Sequence, residues 1–192
     1  FSSQLAKCAL LGQSLIVGLE DHEPKYQPFY APDCRVTQVL LLRDPANLFA
    51  SRIRKAFKID HPAYPREMNL VMLQLRELWK AYAREYVGLT DSINAKVCVS
   101  FDEWFANATY RRRLCQLVGL RFSDAGANKV SYYGGGSSFD DTRYDLDSGK
   151  MNVLSRFEEL AGEEAQLLEQ VLDDHELITL GEEVRKQTVA AA

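Results

Sequence analysis

Arg43 and Ser51 stand eight residues apart in the segment VTQVLLLRDPANLFASRIRKAF, residues 36 to 57. An arginine presents a planar fork of N–H donors that matches phosphate bidentately, and a serine hydroxyl adds one more donor. The spacing puts the serine about two helical turns beyond the arginine, so the pair can clamp one phosphate group. The alternative for the same residues is a salt bridge from Arg43 to a helix-end carboxylate, with Ser51 on an ordinary helix surface. A second candidate cluster is Glu20, Asp21 and His22. Histidine accepts a hydroxyl proton near neutral pH, and a carboxylate can take the same role; otherwise these residues cap a loop. The third is KVSYYGGGSSFDDTRY, in which Lys129 precedes Gly134, Gly135, Gly136, Ser137 and Ser138. A glycine run lets backbone N–H groups approach an anion closely. It is not a Walker A pattern, since no Lys-Ser/Thr pair follows at the required spacing, and a surface turn is the other reading.

The elements around these residues alternate. Val39 to Leu42 is a short apolar run of the kind that fills a parallel strand covered on both faces. Asp44 is a good N-cap and Pro45 suits a first helical turn, so the chain passes from strand to helix at Arg43. Arg43 thereby falls at the carboxyl end of a strand, where open α/β sheets place their ligand sites. Earlier in the chain, residues 1 to 11 read as a helix stopped by Gly12, and SLIVGLEDH reads as a buried strand followed by a Pro-rich connection over 23–35. PREMNLVMLQLRELWKAYAREYVG is the longest helix, with Leu70, Leu73, Leu75, Leu78, Trp79, Tyr82 and Tyr86 as its apolar positions and Gly88 as its stop. Trp79, Tyr82 and Tyr86 read as core rather than a ligand cage. AKVCVSFDEWF is a strand running into a helix, and TYRRRLCQLVGL is a short amphipathic helix whose three arginines form a solvated face. Residues 121 to 150 are loop-like, and acidic helices cover 151–173 and about 180–188. Strand, helix, strand, helix in this order predicts right-handed crossovers and a parallel sheet.

Composition narrows the classes of function. A chain of 192 residues with 46% hydrophobic residues makes one domain over 1–192 with a full core. A formal charge of −4 excludes a general polyanion-binding surface, so nucleic acid is not an expected partner. Cys8, Cys34, Cys98 and Cys115 are far apart without a CxxC pair, which reads as reduced cysteines in a cytoplasmic protein. No run reaches the ~20 apolar residues of a membrane span. His61 and His175 lack partners at metal-ligand spacing, and no zinc pattern is present.

A strand followed by Arg-Asp-Pro and a helix with serine eight residues after the arginine resembles the 3′-phosphate-binding segment of the sulfotransferase family. LRDPANLFASR together with GGGSSFD is similar, over most of the chain, to uncharacterised microbial sulfotransferase-like proteins. The resemblance implies that Arg43 and Ser51 bind the 3′-phosphate of 3′-phosphoadenosine 5′-phosphosulfate. In cytosolic sulfotransferases a Lys-x-His segment ends the preceding strand, and its histidine is the catalytic base roughly twenty residues before the arginine. His22, 21 residues before Arg43, is its counterpart, with Glu20 standing where the family has lysine. The family also closes the cofactor site with a late glycine-containing loop. This implies nucleotide-binding roles for Lys129, Gly134, Gly135, Gly136 and Ser137, although the family's Arg-Lys-Gly wording is missing.

The family's first strand and its Arg-Ser-Gly phosphosulfate loop have no counterpart in the sequence. The resemblance places them immediately upstream of residue 1, with a helix beginning at Phe1-Ser2-Ser3; the alternative is a protein that has discarded the donor site. The implied fold is a three-layer α/β P-loop nucleotide fold, a parallel sheet flanked by helices, N-terminally incomplete. The implied reaction is metal-free sulfuryl transfer from 3′-phosphoadenosine 5′-phosphosulfate to a hydroxyl or amine of a small-molecule or carbohydrate acceptor. The alternatives are a non-catalytic nucleotide-binding or scaffold protein of the same fold, and a small-molecule kinase relative. The kinase would need a Walker lysine and a magnesium-binding Ser/Thr, which the sequence lacks.

Overall fold

The computed structural model describes residues 16–19, 22–25, 35–58, 66–132 and 136–191. Strand β1, Val39–Leu42, pairs in parallel with β2, Val97–Ser100, in a register that sets Val39 opposite Val97 and Leu42 opposite Ser100. Parallel strands require a long crossover, supplied here by helices α1, Pro45–Lys58, and α2, Arg66–Tyr86. After β2 the chain turns directly into α3, Phe101–Ala106, and α4, Ala108–Leu117. Two 3₁₀ turns, Ser148–Lys150 and Arg156–Glu159, precede α5, Glu163–Leu172, and α6, His175–Ala191. The described residues therefore form a mixed α/β structure of six α-helices and a two-stranded parallel sheet. None of their helices is long and apolar enough to cross a membrane.

Local chemistry explains the boundaries. Asp44 caps α1, its Oδ1 accepting from Asn47 N at 3.1 Å, ahead of Pro45 in the first turn. Ser100 caps α3 by accepting from Glu103 N, and the Asn107 side chain caps α4 by accepting from the amides of Thr109 and Tyr110. The core joins β1 to the helices: Leu40 and Leu42 meet Phe49, Ala50 and Ile53 of α1, Met72, Trp79 and Ala83 of α2, Leu168 and Val171 of α5, and Leu177 of α6. Phe49 and Ile53 are wholly enclosed, each contributing roughly 1.5–3 kcal/mol of apolar burial.

Four expectations are corrected. β1 is not covered on both faces: Leu40 and Leu42 are buried while Val39 and Leu41 are each 56% exposed, because the hydrophobic core gathers on the face that Leu40 and Leu42 present. Ile16 to Leu19 are exposed and form no strand; Ser14 and Leu15 lie outside the described residues. On α2, Leu70 and Leu73 are exposed, and Met68 and Met72 enter the core instead. The acidic stretch 151–173 is not one helix but a 3₁₀ turn followed by α5, broken at Gly162, whose φ of 58° favours glycine. The helix expected over 1–11 lies outside the described residues, as do Cys8 and Cys34, whereas Cys98 and Cys115 are free and half-buried.

Candidate functional site

The parallel register determines what meets at the sheet's carboxyl edge. Since Leu42 faces Ser100, the next residues, Arg43 and Phe101, leave neighbouring strand ends side by side, and Asp44 and Asp102 follow. The Arg43 guanidinium accordingly lies 4.9 Å from the Phe101 ring centroid, and Asp44 N donates to Asp102 Oδ2 at 2.7 Å. Across the eight-residue spacing, Arg43 Nη1 donates to Ser51 Oγ at 3.0 Å. Arg43 Nη2 donates to the carbonyl oxygen of Val153 at 2.8 Å. Its Nε is buried without a partner, and so is Oδ1 of Asp102.

A second buried guanidinium, that of Arg156, stands close enough to repel the first. Burial and then Arg156 lower the Arg43 guanidinium to about 10, against the opposing pull of Asp102 and Asp44. Arg156 is itself held below its ordinary value by burial, with Asp140 and Glu159 pulling it back. Burial pushes the Asp102 carboxyl up, partly offset by the bond from Asp44 N. Cations concentrated at low dielectric in this way favour an anion.

Arg156 also anchors the glycine-serine loop. Its Nη2 donates to Ser137 Oγ at 2.8 Å and to Asp140 Oδ2 at 3.3 Å. The guanidinium groups of Arg54 and Arg156 lie 4.9 Å and 5.1 Å from the Phe139 ring centroid. Ser137 Oγ further accepts from the amides of Phe139 and Asp140, and the Ser137 and Asp141 backbones pair. Gly136 is required here: its φ is 82°, and a Cβ would stand 2.5 Å from Asp141 O.

Of the residues singled out by sequence, Arg43 and Ser51 are in direct contact, and Ser137 joins the neighbouring cluster through Arg156. Gly134, Gly135 and Glu20 lie outside the described residues. Lys129 is exposed and takes part in none of these hydrogen bonds. His22 is tied through its backbone: the Tyr82 hydroxyl donates to its carbonyl oxygen, one helical turn along α2 from Trp79, whose Nε1 donates to Arg43 O at 3.0 Å. Arg156 and Asp102 escaped the sequence reading. A lone arginine in the run VLSRFEEL is a faint sign of the first, and Asp102 becomes visible once the two strand ends are aligned. Among the described residues no group of His, Cys, Asp and Glu could hold a metal ion. No family model, curated protein or solved structure matches the chain.

Proposed function

We propose that this is a sulfotransferase-like protein with a three-layer P-loop-type fold, binding 3′-phosphoadenosine 5′-phosphosulfate through its 3′-phosphate and directing its sulfuryl group to an acceptor hydroxyl or amine. The observation that carries this reading is the Arg43 Nη1 to Ser51 Oγ bond of 3.0 Å at a strand's carboxyl end. The residues present fit a phosphate: a guanidinium with a buried, unpartnered Nε, a serine hydroxyl against it and the positive charge of Arg156 nearby. In this reading Arg43, Ser51 and Arg156 bind and orient the nucleotide, and the loop carrying Gly136 and Ser137 borders it. His22, with Glu20, receives the acceptor's proton. The donor supplies the sulfuryl group, and the protein's contribution is positioning and charge stabilisation.

One observation favours a second reading, a scaffold protein of the same fold with no nucleotide affinity. Both Nη groups of Arg43 already have protein acceptors, and Arg156 is satisfied by Ser137 and Asp140, so the cluster can serve as a structural hub. Thermal unfolding with 3′,5′-adenosine bisphosphate and with 5′-AMP separates the two. The sulfotransferase-like reading expects the bisphosphate to stabilise more, by roughly 2.7 kcal/mol at about 100-fold excess over its dissociation constant. Equal shifts from the two nucleotides overturn it.

A further inference from the structure

Asn47 is a polar residue only 3% exposed, one turn before Ser51 on α1. A buried carboxamide is costly unless its donors and acceptor are matched; besides a longer bond of 3.4 Å from Nδ2 to Asp44 Oδ1, those of Asn47 are matched by a segment more than a hundred residues away. Its Nδ2 donates to Leu154 O at 2.8 Å, and its Oδ1 accepts from Arg156 N at 2.9 Å. One side chain therefore grips the backbone on both sides of Ser155. The residue before this grip, Val153, offers the carbonyl oxygen that receives Arg43 Nη2, and the last residue held by it, Arg156, carries the second buried guanidinium. The short backbone between Val153 and Arg156 thus joins the two cations of the candidate site, and Asn47 fixes it to the helix that carries Ser51. Arg54, further along α1, donates to Glu159 O at 2.9 Å, but that bond lies beyond Arg156 and is exposed.

We propose that Asn47 is a positioning residue of the anion site, holding the segment Val153 to Arg156 so that Arg156 is presented beside Arg43 and Ser51. The proposal rests on reading that cluster as a 3′-phosphate pocket. The Asn47 side chain acts through the backbone of other residues, so its loss should be felt in the selectivity for the second phosphate rather than in nucleotide binding as a whole. An apolar or shorter side chain releases two backbone groups and lets Arg156 follow Ser137 and Asp140 away from Arg43.

The test compares 3′,5′-adenosine bisphosphate with 5′-AMP by titration calorimetry on wild type, Asn47→Ala and Val171→Ala, the last a core truncation on α5 outside the cluster. The expected result is a wild-type preference for the bisphosphate that falls roughly tenfold in Asn47→Ala, while Val171→Ala melts at a lower temperature and keeps the full preference. Should Asn47→Ala not fold, Asn47→Ser takes its place, being neutral and too short to reach both backbone atoms. A wild-type preference that survives intact in the folded Asn47 variant overturns the positioning role and leaves the pocket standing. Absence of the preference in wild type overturns the pocket itself and the positioning role with it.

Discussion

Trp79 Nε1 on α2 donates to the carbonyl oxygen of Arg43 at 3.0 Å, so the turn that leaves β1 hangs from the longest helix. The indole is almost wholly buried and closes the core beneath the candidate site. Arg43 is thereby held twice, by its backbone on α2 and by its side chain on Ser51 and Val153. Such double anchoring is what a site needs when its geometry must survive without a ligand.

Trp79→Phe keeps an aromatic ring and leaves the Arg43 carbonyl without its donor. The expected loss is about 1–3 kcal/mol from the unsatisfied group, read as a lower midpoint in urea unfolding. An unchanged midpoint would show that the bond contributes nothing net.

Arg43→Lys retains the charge but loses the fork that reaches Ser51 and Val153 together, as well as the planar contact with Phe101. In the proposed function it should bind 3′,5′-adenosine bisphosphate more weakly while its affinity for 5′-AMP is unaltered. Ser51→Ala should have the smaller effect, about 0.5–1.5 kcal/mol for one hydrogen bond. Equal weakening of both nucleotides in Arg43→Lys would detach Arg43 from the 3′-phosphate.

Glu85 predicts an acid limb in the stability curve. It is fully buried and staples the chain between α2 and β2, accepting from Thr90 Oγ1, Ser92 N, Ile93 N and Lys96 Nζ. Burial pushes its carboxyl up, but the bonds from Lys96, Thr90 and the two amides outweigh burial and hold it at about 2. A value depressed in the folded state adds stability that is fully present above the ordinary carboxylate value and is lost as pH falls toward 2. Unfolding midpoints should drop below about pH 4.5 in wild type, and Glu85→Gln should be less stable at neutral pH with a shallower acid decline. Parallel curves for the two proteins would remove this role.

Gly136→Ala should destabilise the loop bearing Ser137, because its left-handed backbone and the 2.5 Å approach to Asp141 O leave no room for a Cβ. The cost is expected at roughly 1–3 kcal/mol, with faster proteolysis over 136–141. Arg156→Ala should release the same loop by removing its bonds to Ser137 and Asp140. A Gly136→Ala protein with wild-type stability and proteolysis would mean that the loop relaxes freely around the new methyl group.

What was legible in the sequence was local. The cap at Asp44, the proline at the first turn of α1, the passage from β2 into α3 and the nearness of Arg43 and Ser51 each follow from residues within about two helical turns of one another, where backbone geometry is set by covalent connection. Which face of an element is covered was not local. Leu70 and Leu73 are as apolar as Met68 and Met72, yet of these four the docking of α2 buries only the methionines, and a core gathered on the Leu40 and Leu42 face leaves Val39 and Leu41 exposed. The second half of the candidate site is decided the same way. Asp102 arrives through the register of two parallel strands, and Val153 and Arg156 through contacts spanning 110 and 109 residues. No periodicity records such contacts, because they are selected by the packing of the whole chain, where each buried donor must find an acceptor wherever the fold brings one.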